Sequence, residues 1–126
     1  MPENTYLYRQ VHPSWVQAGR ITSQVFRPTP KDQNKLSAYD GDRISAEKAW
    51  IHYTRELSLS SCGVVAVTIQ ECEAESLTVH RDGKPFAEHV SIDFTSRGAK
   101  SIDGIAKRLR NAAVRRGWQY EPGPDS

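Results

Sequence analysis

The sequence predicts a single α+β domain, a mainly antiparallel sheet with two main helices packed on one face. Three observations carry that expectation. Short runs rich in aromatic and β-branched residues recur between turn residues, at 6–11, 35–39, 64–67, 77–80 and 86–94. Two segments, 46–57 and 102–116, repeat apolar residues at helical spacing. Runs of strands mixed with single helices favour an α+β arrangement. A chain of 126 residues fits one domain. Residues 1–120 are expected to form it, with 121–126 (EPGPDS) as a disordered tail.

The first strand is Tyr6 to Val11. Tyr6, Tyr8 and Gln10 share one face, and Leu7, Arg9 and Val11 the other. His12-Pro13 ends it, because proline lacks a ladder donor and suits the first turn of a helix. Residues 13–17 are expected to form such a turn, with Gly19 closing it. Residues 21–26 read as a second short strand, stopped by Pro28 and Pro30. A turn at 31–34 leads to a third strand at 35–39, which Asp40-Gly41 terminates.

Ser45 is placed to cap the first helix, with Glu47 in its first turn. Ala46, Ala49, Trp50, Tyr53 and Leu57 make its apolar face. Val64-Val65-Ala66-Val67 is continuously apolar and predicts a central strand covered on both sides. Thr68 and Glu71 have the spacing of a capping box for a short helix at 70–76. Residues 77–80 and 86–94 are expected to pair as a hairpin across Arg81-Asp82-Gly83-Lys84. Ser101 would cap the last helix, whose stripe is Ile102, Ile105, Ala106, Leu109 and Ala113, with Gly117 past its end.

Hydrophobic residues make up 37% of the chain and charged residues 25%, as in folded proteins. The net charge of +2 is too small to argue for nucleic acid by itself. Cys62 and Cys72 lack CxxC spacing, which argues against zinc and for a reduced pair. MPENTYLYRQ has no apolar run, so no signal peptide is expected there. No stretch approaches the ~20 apolar residues of a membrane span. A soluble cytoplasmic protein is the expectation. There is no Gly-rich phosphate loop, GxSxG or HExxH, so no cofactor or metal is predicted.

Chemistry-bearing residues concentrate in 6–39, where Arg9, His12, Arg20, Ser23, Arg27, Asp32 and Ser37 lie. An arginine beside a histidine and a serine can hold a phosphate or carboxylate through its planar fork of donors. Arg9, His12 and Ser37 are therefore the catalytic candidates, if the short strands bring them together. His80, Glu88 and His89 form a second constellation, suited to acid–base work or a metal. Glu71, Glu73 and Glu75 alternate on a short helix and point in different directions, a poor metal site. Arg97, Lys100, Lys107, Arg108, Arg110 and Arg115 make one dense basic region that could meet phosphates. For each of these, an ordinary solvated or ion-paired side chain is the competing explanation.

Three functions follow. The first is a small intracellular interaction module binding a larger protein partner, as a regulatory subunit, antitoxin or immunity protein does. Trp15, Phe26 and Tyr39, with Arg27, would be its anchors if exposed. The second is an enzyme built on residues 6–39. Tyr8-Arg9 on one strand and Leu36-Ser37 on a later one resemble the start of the ADP-ribosyltransferase group. That resemblance implies a nicotinamide cofactor held by the early basic residue and the later serine, and a downstream catalytic glutamate, for which Glu88 is the candidate. A nuclease using Arg9 and His12 fits the same residues. The third is nucleic-acid binding through Lys107, Arg108, Arg110 and Arg115. No membrane partner is expected.

Overall fold

Side-chain alternation along five antiparallel strands sets the two faces of one sheet. The computed structural model describes residues 2–95 and 97–123. Its strands are β1 (Tyr6–Gln10), the short β2 (Val16–Gln17) and β3 (Arg20–Ile21), β4 (Lys35–Asp40), β5 (Val64–Thr68), β6 (Thr78–His80) and β7 (His89–Asp93). The main sheet has the order β5-β1-β4-β7-β6, with every neighbouring pair antiparallel. β2 and β3 form a separate small hairpin. The helices are α1 (Ala46–Ile51), α2 (Ile69–Ala74) and α3 (Ala99–Arg116). The expected α+β class with a mainly antiparallel sheet is the architecture observed.

The helices do not share one face, as the sequence reading had them. Leu7, Leu36, Val65, Val67, Val90 and Ile92 join Ile102, Ile105, Ala106, Leu109 and Ala113 of α3 in the main core. Ala46 and Trp50 of α1 instead pack with Val64, Tyr8 and Tyr120. Val64 and Val65 are neighbours on one strand and point opposite ways. The reason is that the strands carry apolar side chains on both faces, so both faces need cover.

β5 is correspondingly buried at every position, but it lies at the sheet's edge and not at its centre. Continuous apolarity reports cover on two faces; it does not count neighbouring strands. The outer side of β5 is met by other partners. Val64 N–H donates to Tyr120 O (2.9 Å), and Gln119 N–H donates to Val64 O (2.8 Å). Arg116 Nη1 donates to Ala66 O at 2.9 Å. Thr68 N–H donates to the Glu71 carboxylate at 2.8 Å and Glu71 N–H donates to Thr68 Oγ1 at 3.2 Å, which completes the expected capping box.

Residues 21–26 are the clearest miss. Only Arg20–Ile21 is strand, and Ser23–Phe26 is a 3₁₀ turn. Val25 and Phe26 are adjacent and both fully buried in the same core cluster, whereas neighbours on a strand point to opposite faces of the sheet. The turn seats them against α3. Two helix ends also differ. α1 gives way at His52 to a π-helical turn, His52–Glu56, closed by Leu57 N–H on His52 O at 3.0 Å. α3 starts two residues before the expected cap, with Gly98 at its N-cap and Ser101 inside the helix. Of the predicted tail, residues 124–126 lie outside the described residues.

Asp40, at the end of β4, is fully buried. Its carboxylate lies 2.5 Å from Arg81 Nε and 3.6 Å from Arg43 Nε, and it accepts the Asp42 N–H at 2.9 Å. Arg81 belongs to the β6–β7 connection, so this ion pair fastens that loop to the sheet. No helix of the described residues is long and apolar enough to cross a membrane.

Candidate active site

Register brings the polar residues of two strands together on the α1 side of the sheet. β4 pairs with β7 so that Ser37 faces Ser91 and Tyr39 faces His89. All four side chains therefore project from the same face, and His89 sits diagonally across from Ser37. His89 Nε2 lies 3.0 Å from Ser37 Oγ, and His89 Nδ1 lies 2.6 Å from Asp82 Oδ1. Ser91 Oγ–H donates to the other oxygen of Asp82 at 2.6 Å. Asp82 comes from the loop that Arg81 fastens.

The carboxylate at Nδ1 sets the tautomer of His89. Nδ1 carries the proton, and Nε2 is left to accept the Ser37 O–H. His89 is buried, whereas Ser37 is exposed. Burial acts to raise the Asp82 pKa, but hydrogen bonds from His89 and Ser91 outweigh it, and the net shift is downward.

Arg9 adds a fixed cation. The β1–β4 ladder pairs Leu7 with Asp40 and Tyr8 with Tyr39 and goes no further. The Arg9 guanidinium takes over where the ladder stops. Its Nη1 donates to Ser37 O and its Nε to Val25 O, both at 2.8 Å, and its Cζ lies 5.8 Å from the Trp15 ring centre. Desolvation lowers its pKa to about 10, which leaves it charged at neutral pH.

These groups open onto a pocket of about 280 Å³ whose walls include Tyr8, Arg9, Ser37, Tyr39, Tyr53, Phe86 and His89. Leu57 and Leu59, both exposed, complete it. Phe86 stacks on Tyr39 with ring centres 4.9 Å apart and meets His89 edge-on at 5.2 Å. Tyr39 Oη and His52 Nδ1 are 2.8 Å apart. Burial first, and then the nearby Tyr53, Glu56 and Glu88, hold the Tyr39 phenol well above its ordinary pKa.

Of the catalytic candidates, Arg9 and Ser37 meet in this pocket. His12 does not. It is exposed, accepts the Ser14 N–H at 3.0 Å and lies against Trp15. Glu88 is half-buried and lines no part of the pocket; its carbonyl accepts the Asp40 N–H. His80 is the β6 neighbour of Ser91, but its ring lies 3.6 Å from Asp93 and it lines no part of the pocket.

The binding candidates scatter. Phe26 is fully buried and Tyr39 nearly so, and Trp15 is half-buried on the core, so two of the three proposed anchors are not surface groups. The reason is that both belong to packed clusters, Phe26 under α3 and Tyr39 under Phe86. Arg27 pairs with Asp103. Lys107 also pairs with Asp103, at 3.1 Å, and Arg108 makes a bidentate pair with Glu75. Arg110 bonds Asn111 and the Ile21 carbonyl. Arg115 is exposed. Lys107 and Arg108 are thus matched by acids, whereas Arg110 and Arg115 have no acidic partner among the described residues.

Sequence reasoning missed Asp82, Ser91, Tyr53 and Phe86. Asp82 reads as half of an Asp-Gly turn. The signal that finds it is the pairing of 35–39 with 89–93, which puts Ser37, His89 and Ser91 on one face directly beneath that turn. No protein-family model, curated protein or solved structure matches this chain.

Proposed function

We propose that the chain is a small enzyme that uses Ser37 as a nucleophile on a compact acyl substrate. The observation that carries this reading is His89 held between Ser37 Oγ and the Asp82 carboxylate. The arrangement has the roles of a nucleophile, a base and a group that orients the base. As Ser37 Oγ bonds to the substrate carbonyl carbon, its proton passes to His89 Nε2. The imidazolium so formed is stabilised by Asp82. It then protonates the leaving group as the carbonyl–leaving-group bond breaks. Water, activated by the same nitrogen, releases the acyl group and restores Ser37. Arg9 uses two N–H groups on Val25 and Ser37 and lines the same pocket; its remaining donors are available to charge developing on the substrate oxygen. The aromatic wall and the pocket's size favour a small, partly apolar acyl group.

The other readings have less support. The ADP-ribosyltransferase resemblance implies a catalytic glutamate, and Glu88 lies outside the pocket that joins Arg9 to Ser37. The interaction reading loses Phe26 and Tyr39 as anchors. The nucleic-acid reading loses Lys107 and Arg108 to ion pairs.

The test is labelling with a fluorophosphonate probe, mass spectrometry to locate the adduct, and hydrolysis of p-nitrophenyl acetate. The expected adduct is on Ser37, lost in Ser37→Ala and in His89→Gln. A wild-type chain that is never labelled, or a Ser37→Ala variant that hydrolyses the ester at the wild-type rate, overturns the proposal. A merely structural Ser37–His89–Asp82 network would change the melting temperature in these variants and leave background ester hydrolysis untouched.

A further inference from the structure

Arg20, Arg110 and Arg115 converge beside Trp118 in a second pocket, of about 610 Å³, that shares no wall residue with the Ser37 pocket. The walls come from Gly19 and β3, from Val65 of β5, from α3 and from the segment just past α3, and no acidic side chain is among them. Arg110 is fixed in place. Its Nη1 donates to Ile21 O at 3.3 Å and its Nε to Asn111 Oδ1 at 2.7 Å. Arg20 and Arg115 are exposed and make no side-chain ion pair or hydrogen bond among the described residues. This sets them apart from Lys107, Arg108 and Arg116, which are paired with acids.

Trp118 is seated from beneath. A Cβ on Gly63 would come within 2.6 Å of the indole, so the ring packs directly on the Gly63 backbone. It remains 37% exposed on its outer side. Three like charges gathered around one cavity repel until an anion enters. Guanidinium forks match the geometry of phosphate oxygens, and an open indole beside them offers a stacking surface for a planar ring. The cavity lies within the usual size range of small-ligand sites, roughly 300–1,000 Å³.

We propose that this pocket binds a nucleotide unit, with the arginines on its phosphate and Trp118 stacked on its base. The unit can belong to a free mononucleotide or to a single-stranded nucleic acid, which share this chemistry.

The experiment is calorimetric titration of the full chain with adenosine monophosphate, adenosine, inorganic phosphate and a short oligoadenylate, at low and moderate salt, with tryptophan fluorescence in parallel. Saturable binding of the monophosphate, weaker binding of adenosine and of phosphate alone, and quenching of the indole are expected. Arg20→Gln combined with Arg115→Gln should weaken binding by roughly tenfold or more, and Trp118→Phe should remove most of the quenching. Circular dichroism confirms that each variant is folded. An oligoadenylate that binds more tightly, with a steep loss at moderate salt, identifies nucleic acid as the source. One that binds no better identifies the free nucleotide. Absence of saturable binding by either at millimolar concentration, or binding unchanged by the double arginine substitution, overturns the proposal.

Discussion

Asp82 Oδ1 stands 2.6 Å from His89 Nδ1, while its second oxygen accepts the Ser91 hydroxyl at the same distance. Both oxygens are thus directed, and the imidazole has one orientation in which it reaches Ser37. Asp82→Asn keeps the shape but can present an amide N–H to Nδ1, which moves the ring proton to Nε2 and removes the acceptor. Labelling of Ser37 should slow by roughly a thousandfold or more. The same contact has a pH consequence. Because the folded pKa of Asp82 is depressed, its stabilising contribution is present above the unfolded value of about 4 and is lost as pH falls through the folded value. Acid unfolding curves should show a shallower acid limb in Asp82→Asn than in the wild type. Identical limbs would mean that the contact does not persist in solution.

Arg81 links fold and site. Its partner Asp40 is fully buried, so Arg81→Met leaves that carboxylate with the Asp42 N–H and, as its nearest cation, Arg43 at 3.6 Å. Denaturant unfolding should show a loss of about 3 kcal/mol, typical of breaking a buried pair. The variant should also react more slowly at Ser37 even where it is fully folded, since the adjacent Asp82 is no longer held. Normal reactivity in the folded variant would separate the two roles.

Phe26, an anchor candidate only if exposed, is a core residue. Phe26→Ala should cost about 4 kcal/mol in a denaturant titration, the usual magnitude for truncating a fully buried aromatic ring. A loss under about 1 kcal/mol would place it back at the surface.

The two thiols should be slow. Burial, then the neighbouring Glu71, Glu73 and Glu75, push the Cys72 thiol up to about 12, and Cys72 is fully buried. At pH 8 the thiolate fraction is on the order of one in ten thousand. Burial also raises the Cys62 pKa. A colorimetric disulfide reagent should leave Cys72 unmodified in the native chain and react with both cysteines in denaturant. Fast native labelling of Cys72 would contradict its place in the core.

Much of the fold could be read from local signals, because those elements are decided locally. Ser45 and Thr68 accept the backbone N–H groups that cap α1 and α2. The stripe of Ile102, Ile105, Ala106, Leu109 and Ala113 is the buried side of α3. What failed depended on distant partners. Val64–Val67 looks central until the Tyr120 segment and Arg116 are seen at its edge. Val25 and Phe26 look strand-like until α3 claims both. The site divides the same way. Arg9 and Ser37 were visible as residue types, but Asp82 joins them only through a 52-residue register between Ser37 and His89.

The outer side of β5 has one more consequence. A run such as Val64-Val65-Ala66-Val67, with an unpaired flank, is the kind of segment that recruits strands from other molecules and seeds aggregation. Here the flank is closed position by position: Val64 by the Gln119–Tyr120 backbone, Ala66 by the Arg116 guanidinium, Thr68 by the Glu71 carboxylate. Arg116 and Glu71 are also ion-paired with each other at 2.9 Å. The C-terminal segment and a single arginine therefore cover the flank at which another chain's strand would otherwise add, and they do so immediately beside the pocket that Arg115 and Trp118 line.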